Sequence, residues 1–537
     1  MKIFMYSMAV IVMSQLSIGC DSASHSIRNY EAEAKSVTLS ADSSIAQTSE
    51  EKVTNKNEFN TEEYDNIVEN PFVTAEQQPL STFSIDVDRA AYSNVRRYIL
   101  EGSLPPRGAV RVEEMINYFN YTYPQPQDGE PFSVNTEIAA CPWNEHHRLV
   151  HIGLKGKDID KAKLPPANLV FLIDVSGSME EPNKLSLVQS SLKMLTSQLR
   201  DKDRVAIVAY AGNAGLVLPS VSGSQKMKIN EAIDALSAGG STAGGEGIKL
   251  AYKVARENFI KEGNNRIILA TDGDFNVGVS SEDELVSLIE EERKSGVFLT
   301  VLGYGMGNYK DNKMQQLADK GNGNHAYIDN SNEARKVLVN EFGGTLFAIA
   351  KDVKLQVEFN PALTKAYRLI GYENRVMPNQ DFNNDKKDAG ELGAGHTVTA
   401  LYEIIPVGVD DKFTGKTDDL KYQQKRVTTN DYNNELLTIK LRYKAPDSEV
   451  SKLIVHPVTD VAASVEQSSD NFRFSAAVAE FGLLLRKSDY KQQASYEQVI
   501  SLAKTSKGND EEGYRSEFIK LVETAAVLDD KKVLSKN

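Results

Sequence analysis

Three short stretches of this chain gather oxygen-bearing side chains of the kind that hold a hard cation. Asp174-Val175-Ser176-Gly177-Ser178 sets a carboxylate and two hydroxyls at alternate positions around a turn, with Gly177 giving the backbone room to curl. Gly239-Gly240-Ser241-Thr242 adds the hydroxyl of Thr242, and Thr271-Asp272-Gly273 adds the carboxylate of Asp272. Together Asp174, Ser176, Ser178, Thr242 and Asp272 offer oxygen alone, the donor that Mg²⁺, Mn²⁺ and Ca²⁺ take. A site with few carboxylates adds no excess negative charge around a bound dication, so it can still accept an anionic ligand from outside. Asp274 and Asn276 follow closely; they either orient the ligands through hydrogen bonds or are solvated loop residues. Glu246 falls on the same rim, where an acidic residue at an exposed helix start is its ordinary reading.

Other chemistry is poorly supported. His146, His147 and His151 cluster, and on a strand His147 and His151 share a face, but no Cys or carboxylate stands at ligand spacing beside them. Cys141 reads as a small buried apolar residue rather than a nucleophile. The sequence contains no HExxH, Walker A, G-x-S-x-G or dinucleotide Gly-rich pattern, and the glycines at 239–247 (GGSTAGGEG) lack the lysine that would reach a phosphate. A hydrolase using the same metal needs a general base, and only Asp274 or Glu246 is on offer. The reading is therefore a binding protein and not an enzyme, with a metal-dependent hydrolase and a scaffold holding a purely structural metal as the alternatives.

Strands and helices must alternate to position the three stretches. The run at 168–173 (NLVFLI) is apolar throughout, as in a strand covered on both faces, and leads straight into Asp174. Leu185, Val188, Leu192, Leu195 and Leu199 recur at three and four, the spacing of one helix face. Further strands are predicted at 204–210 (RVAIVAY), 266–270 (RIILA), 297–302 (VFLTVL) and 325–328, and helices at 230–236, 247–259 and 332–342. Such alternation argues a doubly wound, mostly parallel α/β sheet, whose ligands sit outside the carboxyl ends of the strands. On both sides of this segment the period falls to two: SVNTEIAA and RLVHIGL before it, VKLQVEF, AYRLIGY, HTVTALYEII and LLTIKLRY after it. An antiparallel β-sandwich split by the inserted α/β domain is expected. Helices are expected at 88–100 and 111–121, at 472–485 (FRFSAAVAEFGLLL), near 496–503 and at 514–528.

The three oxygen-rich stretches, in this order and context, resemble the metal-ion-dependent adhesion site of von Willebrand factor A domains, as in integrins and many bacterial proteins. The resemblance implies that Asp174, Ser176 and Ser178 contact the metal directly or through water, completed by Thr242 and Asp272. ENPF from Glu69, FSIDVDRAAYSNVRR from Phe83 and CPWN from Cys141 resemble a module that precedes the A domain in a family of secreted bacterial proteins. The chain from Asn471 onward resembles the C-terminal module of that family, which lends architecture and little function.

Composition sets the outer bounds. The 537 residues carry a net charge of −14, which repels phosphate backbones and excludes nucleic acid as a partner. Lys2, an apolar stretch at 3–13 and Ser17-Ile18-Gly19-Cys20 resemble a bacterial lipoprotein signal, with Ser17 where that pattern prefers Leu. Lipidation at Cys20 would leave Cys141 unpaired and anchor the protein in a membrane of the cell envelope. The expected organisation is a lipoprotein signal peptide at 1–19, a disordered tether at 20–70 that is too polar to bury a core, and a helical module at 71–130. Strands at 131–164 pair with a later β unit, the A domain spans 165–345, the β-sandwich 346–450 and a C-terminal helical module 451–537. The partner is expected to be a protein that offers an Asp or Glu carboxylate to the metal.

Overall fold

The chain enters the fold through two strands as well as two helices. The computed structural model describes residues 62–127, 129–241, 244–273, 282–307, 309–341, 347–414, 434–461 and 463–534. Strands β1 (Val73–Thr74) and β2 (Leu80–Ser84) come first, then helices α1 (Ala90–Leu100) and α2 (Val112–Asn117), then β3 (Phe132–Cys141) and β4 (Asn144–Gly156). The purely helical module expected at 71–130 is thus corrected: β1 and β2 are too short to show a period of their own. The expected tether is also corrected at its end. The signal peptide, Cys20 and the tether up to residue 61 lie outside the described residues, but 62–70 pack on the fold. The Glu62 carboxylate accepts from Arg97 (2.8 Å), Tyr98 (2.7 Å) and the Gly307 N–H (2.9 Å). A polar stretch can be ordered when its charge answers a buried one.

The α/β segment follows. It comprises β5 (Ala167–Asp174), α3 (Leu185–Gln198), β6 (Arg204–Tyr210), β7 (Ala214–Ser222), α4 (Lys226–Asp234), α5 (Gly244–Glu257), β8 (Asn264–Thr271), α6 (Glu282–Arg293), β9 (Val297–Tyr304), α7 (Asp311–Lys320), β10 (His325–Ile328) and α8 (Ser331–Arg335). Among the described residues the sheet has six strands in the order β10-β9-β8-β5-β6-β7, parallel except for β7 against β6. The NLVFLI run is apolar throughout because both faces are covered. Leu169, Phe171 and Ile173 pack with α3 and α4, while Val170 and Leu172 pack with α5, α6 and α7. β7 escaped sequence prediction because it is an exposed edge, with Leu216 and Val217 open to solvent and Pro219 in its middle.

Past residue 347 come β11 (Ala348–Phe359), β12 (Thr364–Ile370), β13 (Gly390–Gly393), β14 (Thr397–Pro406), β15 (Glu435–Lys444) and β16 (Ser451–Thr459). The strands before and after the α/β segment join one sheet: β4 pairs antiparallel with β14 from Lys155↔Thr397 to Arg148↔Ile404, in the order β1-β12-β14-β4-β3. A second sheet runs β13-β11-β15-β16, with β2 paired to β11. Both sheets contribute to one apolar core that includes Phe132, Ile152 and Tyr402 from the first and Val357, Ile439 and Leu441 from the second. The boundary expected at 450 is corrected, since β16 carries the second sheet on to Thr459. Its Pro457 sits on an edge strand, where a missing N–H costs no ladder bond.

The C-terminal helices are α9 (Asp470–Arg486), α10 (Tyr496–Thr505) and α11 (Tyr514–Leu534). They do not form a module of their own. α9 is apolar on nearly all sides because it is buried between α10, α11 and the N-terminal α2, all within one core. α9 and α2 approach so closely at Gly482 that a Cβ there would stand 2.8 Å from Val112 Cγ2. Among the described residues no helix is long and apolar enough to cross a membrane.

Candidate metal centre

Asp174 ends β5 and Asp272 directly follows β8, its parallel neighbour, so register places both carboxylates at the same end of the sheet. Both are fully buried. The turn after Asp174 is closed by its own side chain, with the Ser176 N–H donating to Asp174 Oδ1 at 2.9 Å. That closure brings the hydroxyls of Ser176 and Ser178 to 3.1 Å from each other, Ser176 buried and Ser178 exposed. The second loop is tied to this turn through backbone. Gly177 N–H donates to Gly240 O (3.0 Å) and Gly239 N–H to Val175 O (2.8 Å), with Gly240 at φ +83°. Thr242, like Asp274 and Asn276, lies outside the described residues. Glu246 is exposed in the first turn of α5.

Residues the sequence did not mark complete the site. Tyr210 Oη and Thr271 Oγ1 each donate to Asp174 Oδ2 at 3.1 Å, fixing the carboxylate from behind. The register Asp174↔Tyr210 was the available signal, because it puts the end of RVAIVAY level with the end of NLVFLI. Lys184 donates to Asp272 Oδ2 at 3.1 Å, and no spacing pointed to it. Burial pushes the Asp174 carboxyl above its ordinary range, and the Asp272 charge adds to the push, against the hydrogen bonds from Ser176 and Thr271. Two carboxylates buried at the same end of the sheet favour a cation between them. The donor set is oxygen only and fits a hard dication. Among the described residues no three His, Cys, Asp or Glu side chains converge as a metal group, so the serine hydroxyls are needed to complete this one.

The histidines do structural work. His147 is buried between Glu403 (2.6 Å) and Asp411 (3.0 Å), and His151 shares a hydrogen bond with the Tyr123 hydroxyl (2.8 Å), burial pushing its imidazole down to about 4. His146 is exposed. Cys141 lies in the helical core, and burial pushes its thiol up.

Known proteins share this plan. Residues 168–341 match the von Willebrand factor type A domain, 58–151 the family model described as von Willebrand factor, and 344–528 the C-terminal model of the uncharacterised protein YfbK. The chain is 44% identical to YfbK of Escherichia coli (strain K12) over 495 residues, which is 90% of this chain and 84% of that protein. It is 29% identical to the uncharacterised protein sll0103 of Synechocystis over 198 residues, 36% of this chain and 45% of that one. A solved von Willebrand factor type A structure from Catenulispora acidiphila aligns with 72% of this chain and 89% of its own at 17% identity, with a TM-score of 0.39. The matches to YfbK and to the A-domain model place the chain: it belongs to the family of bacterial von Willebrand factor A-domain proteins that includes YfbK.

Proposed function

We propose that this protein is a lipid-anchored envelope protein that binds a protein partner through a dication held by Asp174, Ser176, Ser178, Thr242 and Asp272. The observation that carries the reading is the paired ends of β5 and β8, which set two buried carboxylates beside two serine hydroxyls 3.1 Å apart. Held there, Mg²⁺, Mn²⁺ or Ca²⁺ would supply an electrophilic position that a partner's Asp or Glu carboxylate can fill. The chain's own part is to fix the ligands. Tyr210 and Thr271 hold one oxygen of Asp174, the Ser176 N–H holds the other, and Ser178 stays at the surface where a partner can approach. A domain of this type commonly mediates protein interaction, which agrees with binding rather than catalysis.

Crosslinking in the native envelope tests the partner. A crosslinked species present in wild type and lost both in Asp174→Ala and on adding chelator is expected. A species that survives both changes would remove metal-bridged adhesion. The anchor is tested by Cys20→Ser, which is expected to move the protein from the membrane to the soluble fraction, whereas continued membrane attachment of the variant would defeat the lipid-anchor reading.

A further inference from the structure

Lys184 precedes α3 and is almost wholly buried beside the metal centre. Its ammonium stands 3.1 Å from Asp272 Oδ2, with the two side chains 5% and 0% exposed. The stem runs along the backbone of Gly305, just past β9, where φ is +73° and any Cβ would run into Cγ, Cδ and Cε of the lysine. A groove is thus kept open for this side chain. The same nitrogen lies 3.7 Å from Glu181 Oε2, whose side chain is 44% exposed. The ammonium therefore has two carboxylates in reach, one inside the site and one at its surface.

We propose that Lys184 is the resident counter-cation of the site, neutralising Asp272 when no dication is held and shifting toward Glu181 when one is. This rests on the metal reading above and adds a selectivity to it. Asp174, Asp272 and Lys184 together carry one net negative charge. A monovalent ion that displaces the ammonium merely exchanges one unit charge for another. A dication gains a further charge and takes the site from one net negative charge to neutrality, with the ammonium answered by Glu181, so the loaded site no longer repels an acidic partner. A lysine suits this exchange because its ammonium is a point charge on a flexible stem, whereas a guanidinium would grip the carboxylate in a fork.

The test uses the full chain with Mg²⁺ and Mn²⁺ as probes, by titration calorimetry and by thermal unfolding in chelator. Lys184→Met keeps the stem along Gly305 and deletes the charge. It is expected to bind Mg²⁺ about tenfold or more tightly than wild type, because a nearby positive charge no longer opposes the ion. In chelator it is expected to melt below wild type, since buried Asp272 has lost its counter-charge, and Mg²⁺ should close the gap. Glu181→Gln, at an exposed position that does not threaten folding, is expected to weaken Mg²⁺ binding by about threefold by removing the ammonium's second resting place. Wild-type Mg²⁺ affinity in both variants, with wild-type melting of Lys184→Met in chelator, would overturn the proposal and leave the metal site standing. Absence of Mg²⁺ and Mn²⁺ binding in wild type and Lys184→Met alike would overturn both.

Discussion

Buried charge is handled in two ways on the same α/β domain. Where the N-terminal helices press against it, guanidiniums do the neutralising. Arg96 of α1 bonds Asp329, Glu333 (2.7 Å) and Glu517 of α11 (3.0 Å), while Arg111 bonds Asp311 and Glu114. At the ends of β5 and β8, by contrast, a lysine meets Asp272, and hydroxyls with one backbone N–H hold Asp174. A guanidinium is a rigid fork that engages more than one carboxylate and is locked by its own geometry, while an ammonium is a point charge that can move. The fold keeps the first kind of charge for its own cohesion. The second kind is the one that the proposed function would exchange with a dication.

The contrast can be broken first at the junction. Arg96→Met keeps the volume but leaves Glu333 and Asp329 buried without their cation, and a loss of about 3–5 kcal/mol in denaturant unfolding is expected. A loss below about 1 kcal/mol would mean that the junction is not locked by charge. Because Arg96 ties α1 to both the α/β domain and α11, the whole unit is expected to lose stability together.

A smaller effect is expected in the helical core. Glu480 is fully buried in α9, its Oε1 accepting the Ser495 N–H that precedes α10 while Oε2 has no hydrogen-bond partner, and burial pushes its carboxyl up to about 8. The folded state therefore holds a proton that the unfolded state releases at ordinary carboxylate pH, so this group costs stability progressively as pH rises from about 4.5 to about 8. Glu480→Gln is expected to be more stable than wild type by about 2–3 kcal/mol at pH 8 and nearly equal to it at pH 5. A difference independent of pH would show that the carboxyl does not titrate in this window.

How much of this could be read beforehand depends on where each residue's partners lie. The strands of the α/β sheet were readable because burial on both faces makes them apolar throughout, and each oxygen-rich stretch sits where such a strand or its neighbouring loop ends. Two edge strands were not: β7 and β16 expose about half their side chains and carry Pro219 and Pro457, so their patterns are those of loops. Nor was the single helical layer, whose two halves stand more than 300 residues apart and meet at Val112 and Gly482. Asp174, Ser176, Ser178 and Asp272 stood out by residue type as candidates. Tyr210, Thr271 and Lys184 did not, because holding a carboxylate requires only a donor at the right place, and place follows from strand register.

Metal-bridged binding requires that the site hold a dication. The decisive measurement is calorimetric titration of Mg²⁺ and Mn²⁺ into the full chain and into Asp174→Ala. Wild type is expected to bind one equivalent reversibly to chelator, and Asp174→Ala to bind none. The variant is expected to remain folded in chelator, because the sheet is held by the apolar strands β5, β6 and β8 and not by the ion. Equal affinity in the two proteins, or no binding to wild type, would contradict metal-bridged binding.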